Sequence, residues 1–350
     1  MKTLMKGNEV VSEAAIKAGC RAYFGYPITP QSEIPEYLSK RMPEVGGVFI
    51  QAESEVAAIN MVYGSAATGV PTMTSSSSPG VALKQEGISY LAGADLPSVI
   101  VSVSRSGPGL GGILPGQADY FQATRGGGNG DYYLPVFAPN SVQEISDLMY
   151  KSFEVAYKYR TPVMMLVDGM LGQMMEPVEI KDNPVNFPEV ESWAANGGSG
   201  SRERNVVNSL NLTAAGLEAA NLRRFETYEE IKKNETLVEV DVKEGDEIVI
   251  VAYGTPARIA KNAITELEGK GVKAGMIRPI TLWPYPYDAF KDLPKSVKAI
   301  LVAELSLGQM VEDVKMAIEG KLPVHFYGRT GGSIFEASEI TNKALEVLGK

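Results

Sequence analysis

The run Ser98-Val99-Ile100-Val101-Ser102-Val103-Ser104, followed at once by Arg105-Ser106-Gly107-Pro108, decides how this chain folds. Its apolar members are all β-branched, and none of the seven is charged. A strand of that kind is buried on both faces, as in the middle of a parallel sheet covered by helices. The abrupt change to Arg-Ser-Gly-Pro marks its carboxyl end. Three other expected strand ends carry similar clusters: Tyr26-Pro27-Ile28-Thr29-Pro30, Glu53-Ser54-Glu55, and Thr74 to Ser78 with Pro79-Gly80. In an open parallel α/β sheet, ligands sit in the crevice outside the carboxyl ends of the strands. The chain therefore reads as one wall of a small-molecule site.

Outward from this run, helix and strand signals alternate in the βαβ manner. Upstream, Gly7-Asn8 opens a helix that Gly19 stops. A strand over 22–26 follows, then a helix from Pro30 to about Met42 and a strand over 48–51. The stretch 53–68 reads as a largely apolar helix with Val56, Ile59, Met61 and Val62 among its buried side chains. A strand over 72–74 and a helix over 79–92 lead into the opening run. Downstream, a Gly-rich irregular stretch spans 107–130, before a strand over 136–138, a helix over 141–159 and a strand over 163–167. Residues 1–184 are thus expected to form one domain.

Residues 185–245 change character and read as a linker or insertion. Asn196-Gly197-Gly198-Ser199-Gly200-Ser201 predicts a flexible or tight turn, and 210–233 a charged amphipathic helix. From Glu247 the pattern resumes, with strands over 248–252, 273–277, 299–302 and 324–327. Helices over 256–267, 308–318 and 334–348 accompany them. The expected fold class is α/β, with a second doubly wound parallel-sheet domain over 246–350.

Composition narrows the function. The 350 residues leave room for about two domains, and 44% hydrophobic with 21% charged residues indicates a globular chain rather than a disordered one. A net charge of −9 argues against nucleic acid, which calls for a basic face. No apolar run approaches the ~18 residues of a membrane helix, and residues 1–7 lack a signal-peptide core. A single cysteine, Cys20, fits a reducing cytoplasm. With His325 as the sole histidine, the chain cannot build an iron–sulfur cluster, a zinc site or a Cys–His nucleophile pair. No metal site is expected on it, and its chemistry calls for a partner.

Each strand-end cluster has a plain reading and a functional one. Gly107-Pro108-Gly109-Leu110-Gly111-Gly112 fits the spacing G-x-G-x-x-G, but a dinucleotide site needs a helix opening on the glycines. Pro115 and Gly116 interrupt any such helix, so a substrate-covering loop or simple connection is expected. Glu53 and Glu55 suit the first turn of a helix through its dipole. A carboxyl buried at the ligand edge of a sheet could also exchange a proton with a heterocyclic nitrogen. Arg105 could form a surface ion pair or grip a substrate carboxylate with two N–H groups. Thr29, held between two prolines, and Ser75 to Ser78 read first as turn and cap hydroxyls. Cys20 has no second thiol nearby in sequence and reads as inert.

Taken in order, Gly25-Tyr26-Pro27-Ile28-Thr29-Pro30, Gln51-Ala52-Glu53-Ser54-Glu55, Thr74-Ser75-Ser76-Ser77-Ser78-Pro79-Gly80 and Arg105 resemble the α subunit of 2-oxoacid:ferredoxin oxidoreductases. Arg278-Pro279-Ile280-Thr281-Leu282-Trp283-Pro284-Tyr285-Pro286 adds to the likeness, which covers nearly the whole chain. Within the family it is most similar to the 3-methyl-2-oxobutanoate type, with the 2-oxoglutarate type next. The resemblance implies a pyrimidine-type thiamine-diphosphate-binding domain followed by a transketolase C-terminal-like domain. It implies CoA-dependent oxidative decarboxylation of a 2-oxoacid to acyl-CoA and carbon dioxide, with reduction of ferredoxin.

Thiamine diphosphate would be shared with a β subunit that holds the diphosphate and Mg2+. Iron–sulfur clusters would lie on a γ or ferredoxin-like subunit. Glu55, rather than Glu53, would meet the pyrimidine N1′ and favour the imino form that activates the thiazolium. Tyr26, Pro27, Ile28, Ser76 and Ser77 would wall the cofactor, while Arg105 and Thr29 would hold the substrate. Two other expectations stay open: a non-oxidative thiamine-dependent decarboxylase subunit, and a non-catalytic scaffold.

Overall fold

The computed structural model describes residues 2–197 and 202–350; four residues of the turn expected at 196–201 lie outside the described residues. β1 (Thr3–Lys6), α1 (Gly7–Ala18), β2 (Ala22–Gly25), α2 (Glu33–Glu44), β3 (Val48–Gln51), α3 (Glu55–Ala67), β4 (Thr72–Ser76), α4 (Ser78–Gly93) and β5 (Ser98–Ser104) open the chain. A long irregular stretch is broken by α5 (Tyr120–Thr124). Then come β6 (Val136–Phe137), α6 (Val142–Tyr159), β7 (Pro162–Asp168), α7 (Gly169–Gln173) and β8 (Met175–Val178). The remainder is α8 (Ala214–Glu235), β9 (Val238–Asp241), β10 (Ile248–Val251), α9 (Gly254–Gly269), β11 (Ala274–Pro279), β12 (Thr281–Trp283), β13 (Ala299–Glu304), α10 (Met310–Ile318), β14 (Val324–Gly328) and α11 (Ala337–Leu348).

Two main sheets result, one ordered β12-β6-β7-β5-β4-β2-β3 and the other β14-β13-β10-β11-β9. β5 lies inside the first, parallel to β4 and β7, with all seven residues buried. Its side chains alternate between two cores. Ile100 packs with Val81, Ile88 and Leu91, while Val99, Val101 and Val103 pack with Val10 and Phe153. The β-branched run thus meets helices on both faces, as a parallel interior strand requires.

Three features depart from the sequence expectation. β1 and β8 form a separate antiparallel ribbon. The stretch 185–245 carries α8 and also β9, which pairs antiparallel with β11 at the edge of the second sheet. The 278–286 motif, expected wholly in the second domain, sends β12 across to pair antiparallel with β6 of the first sheet. Aromatic packing fixes that crossing: Trp283 stacks on Tyr133 at 4.9 Å and meets Tyr228 edge-on at 5.6 Å. Beside it, buried Arg278 donates to both oxygens of Glu144 at 2.7 and 3.0 Å and to Glu239 at 2.6 Å.

The second sheet reverses direction between β10 and β13, so its ligand crevice would lie at Tyr253 and Leu305. Gln117 from the first domain fills that position. Its side-chain amide donates to the Tyr253 carbonyl at 3.0 Å and accepts from Leu305 N–H at 3.0 Å. Its backbone N–H donates to the Leu305 carbonyl at 2.8 Å. Among the described residues, no helix is long and apolar enough to cross a membrane.

Candidate functional site

The first sheet reverses direction at β2, whose neighbours are β3 on one side and β4 on the other. The β2–β4 ladder is short, pairing Ala22 with Thr72 and Tyr23 with Met73. Beyond those pairs the two strands part, and the crevice lies between their carboxyl ends. Four of the expected clusters converge there: the turn at 26–30 after β2, Glu55 after β3, the serines after β4, and Arg105 after β5.

Glu55 is the first residue of α3 and is 6% exposed, whereas Glu53 is exposed. The helix starts where it does because the Ser54 hydroxyl accepts the Ala57 N–H at 3.1 Å, satisfying an otherwise orphan donor. That cap turns the Glu55 side chain inward against the first turn of α4. A methyl group added at Gly80 would stand 2.6 Å from Glu55 Oε1 and 2.2 Å from Ser76 Oγ. Val56, expected to be buried, is instead 44% exposed, because only one side of α3 faces the sheet.

The serine loop does not behave as a set of caps. Ser77 occupies the N-cap position of α4, but its hydroxyl makes no cap hydrogen bond. Ser76 and Ser77 are both fully buried with unpartnered hydroxyls. Ser78 ties the loop to the next strand: its hydroxyl donates to Asp119 at 2.5 Å and accepts the Arg105 N–H at 3.0 Å. Burial pushes the Asp119 carboxyl above its ordinary range. Buried hydroxyls without partners carry a desolvation cost unless a ligand satisfies them.

Arg105 is buried at 6% and forms no ion pair among the described residues. Its guanidinium donates to the Thr29 carbonyl at 2.8 Å and the Leu110 carbonyl at 2.9 Å, while Nε has no partner. Five N–H groups are available to an arginine, so capacity for an anion remains. Thr29 is therefore joined to Arg105 through its backbone, and its side chain is exposed, as are Tyr26 and Pro27; Ile28 is half-buried. The Gly107–Gly112 segment opens no helix. It doubles back so that Gly112 N–H donates to the Ser106 carbonyl at 2.8 Å and Ser106 N–H to the Leu114 carbonyl at 2.9 Å. Gly111, at φ +59, leaves no room for a side chain, since a methyl group would meet Ser106 O at 2.1 Å.

Some members of this neighbourhood are not evident from the sequence. Tyr23 shares a 2.8 Å hydrogen bond with Ser75, which also contacts Gln31. Lys84 of α4 is fully buried and donates to Thr74 Oγ1 at 2.7 Å and the Ser75 carbonyl at 3.0 Å. Only the i, i+4 spacing of Gly80 and Lys84 hinted that both face the crevice. Cys20 is buried away from it, its thiol pushed up to about 12 by desolvation, which makes it inert. Among the described residues, no three His, Cys, Asp or Glu side chains gather as a metal site.

A buried carboxyl, two unpartnered hydroxyls and spare guanidinium hydrogens fit a nitrogen heterocycle together with an anionic substrate. Residues 13–241 match the thiamine-diphosphate-binding model of pyruvate flavodoxin/ferredoxin oxidoreductases, and residues 246–340 match core domain II of pyruvate:ferredoxin oxidoreductase. The chain is 49% identical to ketoisovalerate oxidoreductase subunit VorB of Methanothermobacter marburgensis, over 99% of this chain and 98% of that one. It is 37% identical to 2-oxoglutarate synthase subunit KorA of Archaeoglobus fulgidus, over 89% and 90%.

A solved 2-oxoglutarate:ferredoxin oxidoreductase from Magnetococcus marinus superposes with TM-score 0.87 at 26% identity, over 99% of this chain and 65% of that chain. A split-gene transketolase shares the fold at TM-score 0.61 and 15% identity. Fold and matches together define an oxidoreductase subunit with a thiamine-diphosphate-binding domain. The chain belongs to the pyruvate flavodoxin/ferredoxin oxidoreductase family, as a subunit of the 2-oxoacid:ferredoxin oxidoreductases.

Proposed function

We propose that this chain is the α subunit of an assembly that converts 3-methyl-2-oxobutanoate, coenzyme A and oxidised ferredoxin into acyl-CoA, carbon dioxide and reduced ferredoxin. The observation that carries this reading is a buried Glu55 at the reversal point of the sheet, in a chain 49% identical to a ketoisovalerate oxidoreductase subunit. Thiamine diphosphate, when bound, supplies the nucleophilic carbon that attacks the 2-oxo group and takes up the electron pair left by carbon dioxide.

In this reading Glu55 presents its carboxylate to the pyrimidine N1′ and holds the proton there. Ser76 and Ser77 offer their free hydroxyls to the ring edge, and Tyr26, Pro27 and Ile28 close the wall. Arg105 grips the substrate carboxylate with the N–H groups not spent on Thr29 and Leu110, and the Thr29 hydroxyl stands beside it. A β subunit holds the diphosphate and Mg2+, and electrons leave through iron–sulfur clusters on further subunits to ferredoxin. The single cysteine supports that division and a cytoplasmic setting.

The test is viologen reduction by the natively purified complex with coenzyme A and, in turn, 2-oxoisovalerate, 2-oxoglutarate, pyruvate and an aryl 2-oxoacid. Preference for 2-oxoisovalerate is expected. Preference for 2-oxoglutarate would move the substrate, and no reduction from a thiamine-loaded complex would overturn the redox chemistry. Glu55→Ala is expected to abolish turnover while leaving the assembly intact; wild-type turnover in that variant would remove its role.

A further inference from the structure

Lys84 is an ionisable residue buried against the strand end that carries Thr74 and Ser75, and it has no part in the proposed function. It is fully buried on α4, yet its ammonium has only a threonine hydroxyl and a backbone carbonyl as partners. Among the described residues no carboxylate forms an ion pair with it. A buried cation without a counter-charge is costly and persists only where something compensates for it.

The compensating group is one helical turn away. Gly80 and Lys84 are four residues apart on α4 and share a face. Gly80 is the residue against which Glu55 Oε1 rests. Thr74 and Ser75, which receive the ammonium, belong to the same strand end as Ser76, the other neighbour of Gly80. Glu55 and Lys84 therefore stand on either side of one serine-lined turn, both shielded from water. We propose that Lys84 is a positioning residue for Glu55, its buried positive charge setting how readily the pyrimidine that Glu55 faces would hold a proton. The inference rests on the assignment of Glu55 to the pyrimidine.

The titration of Lys84 agrees with the geometry. Burial pushes its ammonium down to about 7, and the opposing attraction comes from Glu55. The other titratable groups at this strand end are more distant in the bonding pattern. Tyr23, on β2, reaches Ser75 and is held protonated far above neutral pH by burial. Asp119 and Arg105 meet at Ser78, on the opposite side of the serine loop.

The experiment uses the assembled complex loaded with thiamine diphosphate and follows the circular-dichroism band of the imino form of the pyrimidine against pH. Lys84→Gln keeps a hydrogen-bond donor but removes the charge. Loss of a nearby positive charge lets the bound pyrimidine hold its proton more readily. The midpoint of the band should therefore move to higher pH by about one unit. Lys84→Arg, which keeps the charge, should stay near the native midpoint. An unchanged midpoint in Lys84→Gln, or an equal shift in Lys84→Arg, overturns the proposal. If Lys84→Gln does not assemble, Lys84→Met takes its place under the same criteria. Glu55→Gln separates the two assignments. Loss of the band there keeps the role of Glu55 whatever Lys84 does, and retention of the band removes both.

Discussion

Gly80 shows how little room the Glu55 carboxylate has. A methyl group there would press on Glu55 Oε1 and Ser76 Oγ, both of them buried side chains, and come within 3.1 Å of Glu55 Cγ. Gly80→Ala should therefore lower stability by about 1–3 kcal/mol and turnover at least about tenfold, since a misplacement of about 1 Å is costly to catalysis. Turnover assays beside a melting curve would check it, and an active Gly80→Ala would mean that Glu55 is not tightly placed. At this scale the sequence is legible wherever position along a strand fixes the place of a residue. Glu55, Ser76 and Arg105 follow strand ends, and strand ends define the crevice. Lys84 was hidden, because a lysine within a helix ordinarily faces water. Only the packing of α4 against α3 and β5 turns it inward, where its ammonium reaches Thr74 and Ser75 of β4.

Among the elements, Asp168 is the clearest junction. At the end of β7 it caps α7 by accepting the Leu171 N–H at 3.0 Å. It also caps α9 of the second domain, accepting the Thr255 N–H and hydroxyl, each at 2.7 Å. One buried carboxylate thus serves two helix starts on different sheets. Asp168→Ala should lower unfolding free energy by about 2–4 kcal/mol, the sum of two caps and the stranded Thr255 hydroxyl. Chemical denaturation would measure it; a loss no larger than that of one exposed cap would show that the junction is not shared. The longer helices and the interior strands were readable because each carries its own periodicity and stops, whereas the five-residue α5 and α7 were not. β9 and β12 were not. Each is three or four residues long, and each owes its existence to a distant partner: β11 for one, β6 for the other. β12, a tripeptide between prolines, carries no local signal for such pairing; β9 lies in the alternating run Leu237 to Val242, but that pattern does not name β11 as its partner.

Across the whole molecule, the two sheets are interlocked rather than merely joined. β12 completes the first sheet from within the second half of the chain, Trp283 packs between Tyr133 and Tyr228, and Gln117 plugs the crevice of the second sheet. Unfolding should accordingly be one cooperative event. Tryptophan fluorescence, with Trp283 in the shared core, and far-ultraviolet circular dichroism should trace the same midpoint; two separated midpoints would contradict the interlock. The broad division into a doubly wound first half and second half was legible from the strand–helix alternation. The weld between them was not, since it depends on one tripeptide and a handful of aromatic contacts.

The borrowed strand also has a temporal meaning. β6 emerges from the ribosome long before residues 281–283 exist, a gap of roughly seven to thirty seconds at ordinary elongation rates. Throughout that interval the margin of the first sheet is an open template for any passing strand. The newborn chain is most exposed to wrong pairing just before its own second half arrives to claim the place.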